Sequence, residues 1–439
     1  MRAFSWLNKN IAADPAQITL LQLWREFLPL SLSDVTMALG DPLMNTTLAH
    51  LPDARTNLAG AGIARSLAIF FESPIIMILH ASNALAPSQA SRRALWRFVL
   101  LSGGLLSLAL TIISVPFVFD IVGNRLLGVP ELLSPTVKQV LMLVGLWPFA
   151  IAWRRYFQGL LIHHSKSKAV AQASLWRLAT VASIFGVGYW SRTSGAILAG
   201  LSLVLGVIVE AIAVTVAARR YDVINPELTE LLPDKPLPTN IPGVFKFYWP
   251  LANSMLVVWG GRALLLSIVA RSMDSALALA AWPAAWGLVL VIANSTRMVQ
   301  QIVIKYRGKT SDRQLLQFAL TAGGLCSLIL LLMSTTSMGH QVLQGFIGND
   351  QELVDRIKPV LLLCTPIPLM VALQNATQGF LVSEGRTGRV NLSTWLGTGT
   401  LLATAGIGVR MGLAGATAAA IAMLAAMLVE VGCLLSQKR

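Results

Sequence analysis

Charged side chains standing inside apolar stretches are the residues whose chemistry this sequence has to explain. Residues 27–51 are apolar enough to cross a bilayer, yet they hold Asp34 and Asp41. Seven residues apart, the two acids share one helix face, and Asn45 continues the stripe. A carboxylate in hydrocarbon costs at least ~3 kcal/mol on insertion scales, so such groups face a bundle interior or a wet cavity. They serve either as half of an interhelical salt bridge or as an ion or substrate site. Glu72 lies seven residues after Arg65 in the next apolar stretch, near the expected depth of Asp34. Two acids at one level disfavour joint ionisation, so one stays protonated or the two share a cation. That makes Asp34, Asp41 and Glu72 candidate coupling residues for H+ or Na+. Further along come Arg154, Arg155 and Gln158, then Arg177, Glu210, Arg262, Gln374, Asn375, Gln378 and Glu430.

The elements that position these residues follow from composition. The 439 residues are 55% hydrophobic and 12% charged, half the charge content of soluble domains. An all-α polytopic membrane protein is expected. A window of ~20 residues marks twelve spans, near 27–50, 58–82, 95–119, 137–160, 169–190, 195–218, 246–270, 276–297, 314–336, 357–380, 390–409 and 413–435. Residues 18–27 read as an amphipathic segment lying on the membrane before the first span. The net charge of +14 sits in short loops, as the positive-inside rule requires, and argues against nucleic acid as a partner. Alternating loops carry the basic clusters, which places both termini in the cytoplasm of a multi-pass protein of the inner or plasma membrane.

The chain repeats internally. Residues 98–108 (FVLLSGGLLSL) align without gaps with 318–328 (FALTAGGLCSL) at an offset of 220. Pro148, Ala152, Gln158 and Gly159 meet Pro368, Ala372, Gln378 and Gly379, and Glu210 meets Glu430. At an offset of 221, Pro29 meets Pro250, and Asp41 meets Arg262. No comparable match is visible between spans two and eight. Six spans per half is even, so the two repeats are parallel. The expected organisation is an N-terminal segment (1–26), an N-lobe (27–218), a proline-rich linker (219–245), a C-lobe (246–435) and a tail (436–439). A cleft between lobes, with alternating access, follows from that arrangement.

The repeat sharpens the candidates. Asp41, Arg65 and Arg262 share a level, so Asp41 either pairs with Arg65 or faces Arg262 across the cleft. Arg177 and Glu210 fall at equal depth in sequential spans and read as a structural pair. Glu430 lacks that arginine, because Gly397 occupies the place, and this favours a protonatable role. Arg154, Arg155 and Gln158, with their counterparts Gln374, Asn375 and Gln378, read as substrate-binding cleft lining; snorkelling of the arginines to the interface fits equally. Trp259, Trp282 and Trp286 fit cleft or core. No P-loop, His-Glu-x-x-His, Gly-x-Ser-x-Gly or Cys-x-x-Cys pattern is present, and the histidines show no metal-ligand spacing. No enzyme activity, metal or cofactor is expected.

The residues resemble the MOP exporter superfamily, which includes multidrug and toxic compound extrusion (MATE) proteins and lipid-linked oligosaccharide flippases. Within it the sequence is most similar to the progressive ankylosis (ANK) family. The likeness rests on Gly40-Asp41 with Asn45, on Leu58-Ala59, Gly62, Ser66-Leu67, Phe70-Phe71 and Pro74, and on Pro148-Phe149, Ala152-Trp153 and Gly159-Leu160-Leu161. It continues through Phe247, Trp249-Pro250-Leu251-Ala252, Arg262, Arg271, Gly415-Ala416-Thr417 and Glu430. The resemblance implies a monomeric exporter of small organic anions such as pyrophosphate, nucleotides or citrate, with Arg65, Arg154, Arg155 and Arg262 as suitable ligands. A MATE-type organic cation antiporter using Asp34, Asp41 and Glu72, and a lipid-linked substrate flippase, are the alternatives.

Overall fold

The computed structural model describes residues 18–38, 40–49, 51–126, 129, 131–224, 237–347 and 351–436. Regular structure among them is helical. In order these are α1 (Leu20–Ala38), α2 (Gly40–Ala49), α3 (Ala54–Glu72), α4 (Ile78–Leu85), α5 (Gln89–Ser114), α6 (Pro116–Phe119), α7 (Ser134–Leu143), α8 (Trp147–His163), α9 (Ser167–Trp190) and α10 (Gly195–Arg220). Next come α11 (Ile241–Val269), α12 (Ser275–Asn294), α13 (Val299–Tyr306), α14 (Asp312–Thr335), α15 (Ser337–Ile347), α16 (Gln351–Leu363), α17 (Ile367–Ser383), α18 (Thr387–Arg410) and α19 (Gly415–Ser436). Among the described residues, eight helical stretches are long and apolar enough to cross a membrane, nine if the bent pair 354–363 and 367–383 is one span. Helical segments occupy all twelve expected places.

Several spans are broken, and the breaks recur at repeat-related positions. Span two divides at Ser73–Met77 and span eight at Ser295–Met298. Pro74 removes a backbone donor in the first. In the second, Ser295 and Thr296 turn their hydroxyls onto the carbonyls of Ile292 and Ala293, at 2.6 and 2.7 Å. Spans four and ten divide before Trp147-Pro148 and Ile367-Pro368, where each proline opens the next helix. The repeat between spans two and eight, invisible in the sequence, is plain in the packing. A Cβ at Gly159 of α8 would lie 2.8 Å from the Leu79 carbonyl, and one at Gly379 of α17 would lie 3.0 Å from the Gln300 carbonyl. Leu79 and Gln300 are 221 apart, although their side chains share nothing.

The described chain forms two compact units, Leu32–Ala252 and a second built from residues up to Ser31 together with Asn253–Arg439. The second unit has a core in which α12, α16, α17 and α19 pack around Trp282, Ile357, Leu361 and Met423. The opening turns of α1 belong to it. The separate surface segment expected at 18–27 is therefore corrected: one helix runs from Leu20 to Ala38, and Leu23 and Phe27 are buried. Trp24, Phe27 and Phe318 form an edge-on ring cluster with centroids 5.2–5.5 Å apart. Tyr306 donates to Glu26 at 2.7 Å, and Lys305 pairs with the same carboxylate. In the other unit Phe98 meets Phe245 and Tyr248 at 6.4 and 5.1 Å. These three positions are the repeat mates of Phe318, Trp24 and Phe27.

Asp274 stands in the α11–α12 turn, outside the spans. Its Oδ1 accepts the Gly415 N–H at the start of α19 at 2.9 Å, and Arg356 lies 3.9 Å away. Burial works to push this carboxyl up, but the Gly415 N–H, the Ser272 hydroxyl, its own N–H and, least, Arg356 together outweigh it and hold it below the ordinary value of 3.8. A carboxyl lowered in the folded state contributes stability above its unfolded value and loses it as pH falls through the folded value. Asp274→Asn should lower the melting temperature at neutral pH, and the gap to wild type should close in acid below 3.8. A gap of constant size across that range would show that the ionised form contributes nothing.

Candidate functional site

In the unit formed by residues 32–252, three helices converge on one carboxylate. Before its closing Arg219-Arg220 pair, α10 carries one charged residue, Glu210, which is 0% exposed. One turn earlier, Gly206 leaves α10 without a side chain. A Cβ there would lie 2.8 Å from Val181 and 3.4 Å from the Arg177 stem, so its absence lets α9 close in. Arg154 of α8, 1% exposed, pairs with Glu210 Oε2, and Arg177 Nη1 of α9 lies 3.5 Å from the same oxygen. Oε1 accepts from Gln158 Nε2 at 3.0 Å and from Ser174 Oγ at 2.9 Å. Ser174 has one hydroxyl proton, so Ser33 of α1, 2.6 Å away, is the donor in the Ser33–Ser174 contact. Glu72, at the last residue of α3, also attracts Arg177. The result is a closed, cation-rich knot whose carboxylate is fully saturated.

The same cradle recurs in the other unit without its cations. Glu430 of α19 is 6% exposed. Its Oε1 accepts from Gln378 Nε2 at 3.3 Å and Thr394 Oγ1 at 3.1 Å, the repeat mates of Gln158 and Ser174. Where Arg154 and Arg177 would stand there are Gln374 and Gly397. Gln374 is a further neutral hydrogen-bond partner of Glu430. A Cβ at Gly397 would lie 3.0 Å from Glu430 Oε2.

Arg262 of α11 is arranged differently. Its guanidinium lies over the rings of Trp259 and Trp286, 5.3 and 5.8 Å from their centroids, and Trp286 stacks on Trp282. The charged group acting on it is another cation, Arg297, in the break between α12 and α13. Among the described residues no carboxylate lies within ion-pair distance of it.

The other expected residues are scattered through the helices. Asp41 and Asn45 belong to the backbone of α2, and their side chains lie outside the described residues. Asp34 is buried on α1, and Arg65 is half-buried on α3. Arg155 donates to Gln158 at 3.4 Å. Snorkelling of Arg154 and Arg155 is overturned: both are buried, because Glu210 and Gln158 draw them inward rather than to an interface. Asn375 donates to the Val371 carbonyl of its own helix at 2.8 Å. Sequence reasoning paired Glu210 with Arg177 alone and missed Arg154, the closer partner. The signal was present, since both arginines differ between the repeats while the glutamate, the glutamine and the hydroxyl stay.

This repeat-built bundle has known counterparts. The sequence model of the progressive ankylosis protein (ANKH) family matches residues 12–278, more than half of the chain. The chain belongs to the progressive ankylosis family. Among curated proteins none matches. Solved structures extend the likeness to the whole length. A MOP superfamily transporter from Pyrococcus furiosus aligns at TM-score 0.73 and 16% identity, covering 95% of this chain and 94% of its own. An outward-facing multidrug resistance MATE transporter of the same superfamily aligns at TM-score 0.76 and 15% identity, with 95% and 94% covered. A eukaryotic MATE transporter aligns at 0.73 and 13%, with 94% and 95% covered. At these identities the structures establish the fold. This progressive ankylosis family member therefore has the fold of the MOP superfamily transporters, a multi-pass bundle of apolar helices.

The Glu210 knot makes a stability prediction. Arg154→Met or Glu210→Gln alone strands buried charge and should cost ~3–5 kcal/mol. The double variant should cost less than the sum, with a coupling energy of ~0.5–3 kcal/mol, read from unfolding of the purified protein in detergent. Additive losses would mean that the two groups do not interact.

Proposed function

We propose that this protein exports small organic anions, of the pyrophosphate, nucleotide and citrate class, by alternating access between its repeats. The observation that carries this reading is Arg262. In the other unit, Arg154 and Arg177 are committed to Glu210. Arg262 instead faces two tryptophan rings and a second cation, Arg297. A guanidinium inside a span, held by ring faces rather than by a carboxylate, keeps its positive charge for a ligand. Its planar fork suits carboxylate or phosphate oxygens, and Arg297 adds a second charge for a polyanion. Membership of the progressive ankylosis family supports the same substrate class. The Pyrococcus furiosus relative is described as having a binding pocket of reverse polarity, which supports the view that this fold accommodates pockets of either sign.

In this reading the protein lies in the inner or plasma membrane with both termini in the cytoplasm. It works without a bound cofactor and carries Asp34, Asp41 and Glu72 as gating or coupling acids.

Purified protein in proteoliposomes tests the proposal with labelled citrate, pyrophosphate, ATP and ethidium. The anions should move and ethidium should not. Arg262→Gln should reduce anion flux at least about tenfold, the equivalent of ~1.4 kcal/mol of binding. Ethidium efflux that is abolished by Asp41→Asn, with anion flux unchanged by Arg262→Gln, would instead identify a cation antiporter.

A further inference from the structure

Two glutamates occupy equivalent places in the two repeats, and among the described residues only Glu210 has counter-ions. Around Glu210 the glutamine, the hydroxyl and two guanidiniums fix an ionised carboxylate. Around Glu430 the glutamine and hydroxyl remain, at 3.3 and 3.1 Å, and both guanidinium positions are emptied of charge. Gln374 and Gln378 of α17 and Thr394 of α18 are the polar groups that act on it, and all are neutral.

Among the described residues, nothing charged on the packed helices takes the place of the lost arginines. The helices packed against α19 are α12, α16, α17 and α18. Neither α12 nor α17 contains an ionisable acid or base. The charged residues of α18 are Arg389 and Arg410, at its two ends, and those of α16 are Glu352, Asp355, Arg356 and Lys358, in its first half. Among the described residues, the groups that act on Glu430 are the neutral Gln374, Thr394 and Gln378. A carboxylate buried without a counter-ion is unfavourable, and taking up a proton removes the charge.

Thr394 is placed to accept both states. Its hydroxyl lies 3.1 Å from Glu430 Oε1 and 3.1 Å from the Val390 carbonyl. Towards an ionised Glu430 it donates. When Glu430 carries a proton, the Thr394 proton turns to Val390 and its oxygen accepts from the acid. Ser174, the mate of Thr394, lacks this balance: it lies 2.9 Å from Glu210 and 3.3 Å from the Val170 carbonyl. Gln378 donates its N–H to the carboxylate, and Thr394 can donate or accept, so the cradle holds Glu430 with or without a proton.

We propose that Glu430 is a proton-binding site, loading one H+ from water to become a neutral acid and releasing it again as H+ during the export cycle. This goes beyond the anion reading and does not depend on which substrate is carried.

Infrared difference spectroscopy of the full-length protein in lipid nanodiscs, between alkaline and acidic buffer, tests it without any substrate. Acidification should produce the carbonyl stretch of a protonated, buried carboxylic acid. Glu430→Gln should remove that band completely. Gln374→Arg, which places a guanidinium where Arg154 stands in the other repeat, should remove it too while leaving the carboxyl in place. The second variant keeps the test open if the first fails to fold. A band that survives both substitutions would overturn the proposal. A carboxyl signal that responds to sodium at fixed pH, and not to acidification, would overturn it in favour of a metal cation. Failure here would leave the Arg262 flux test untouched, because the spectra contain no transported anion.

Discussion

A carboxylate shut away from water has to be compensated where it stands, and Glu210 shows what that demands. Moving such an ion from water into a dry interior costs on the order of 20 kcal/mol in the idealised limit, and still several after relaxation. Four donors from α8 and α9 saturate its two oxygens. Each of those donors restricts the helix that bears it. Arg154 and Gln158 must lie one turn apart on α8, Gly206 must stay bare so that α9 can approach, and Ser174 must relay the contact to Ser33 on α1. The convergence of α1, α8, α9 and α10 can be read as the geometry required to keep one acid ionised.

The second repeat keeps the scaffold and drops the charges. Its fidelity extends to single hydrogen bonds. Phe149 N–H donates to Ser107 Oγ at 2.9 Å, and Leu369 N–H donates to Ser327 Oγ at 3.1 Å. Gly103 lies against Ala152, and Gly323 lies against Ala372. Backbone-level constraints of this kind hold both copies to one shape. Charge is where the copies part. One ties Arg154 and Arg177 to Glu210; the other holds Arg262 against tryptophan faces and Glu430 against neutral amides and a hydroxyl.

Much of this was legible in the sequence, for physical reasons that differ from residue to residue. Composition and span length fix a polytopic helical bundle because hydrocarbon leaves the backbone few alternatives. The repeat could be read wherever glycine, proline or charge is required at a position, as at Gly159 and Gly379. It could not be read between spans two and eight, where the shared constraint is a backbone carbonyl facing a glycine and the side chains are free to differ. Helix breaks at Ser295–Met298 escaped for a similar reason: hydroxyls bonding back to their own helix carry no pattern that a hydropathy window detects. Arg177 was matched to Glu210 by depth alone. Arg154 was missed because depth along a span says nothing about which way a long side chain bends, and here it bends inward to the acid.

The division of the chain also bears on how it is made. Residues 32–252 are one continuous stretch, so that unit can close while the ribosome is still translating the C-terminal half of the chain. The other unit cannot. The opening turns of α1 have their ring partner Phe318 nearly three hundred positions downstream. Until α14 is synthesised and inserted, Leu23, Trp24 and Phe27 have no permanent place to pack. This segment thus leaves the ribosome long before its docking partner exists, and the nascent chain must carry an unsatisfied aromatic face while the intervening helices are made.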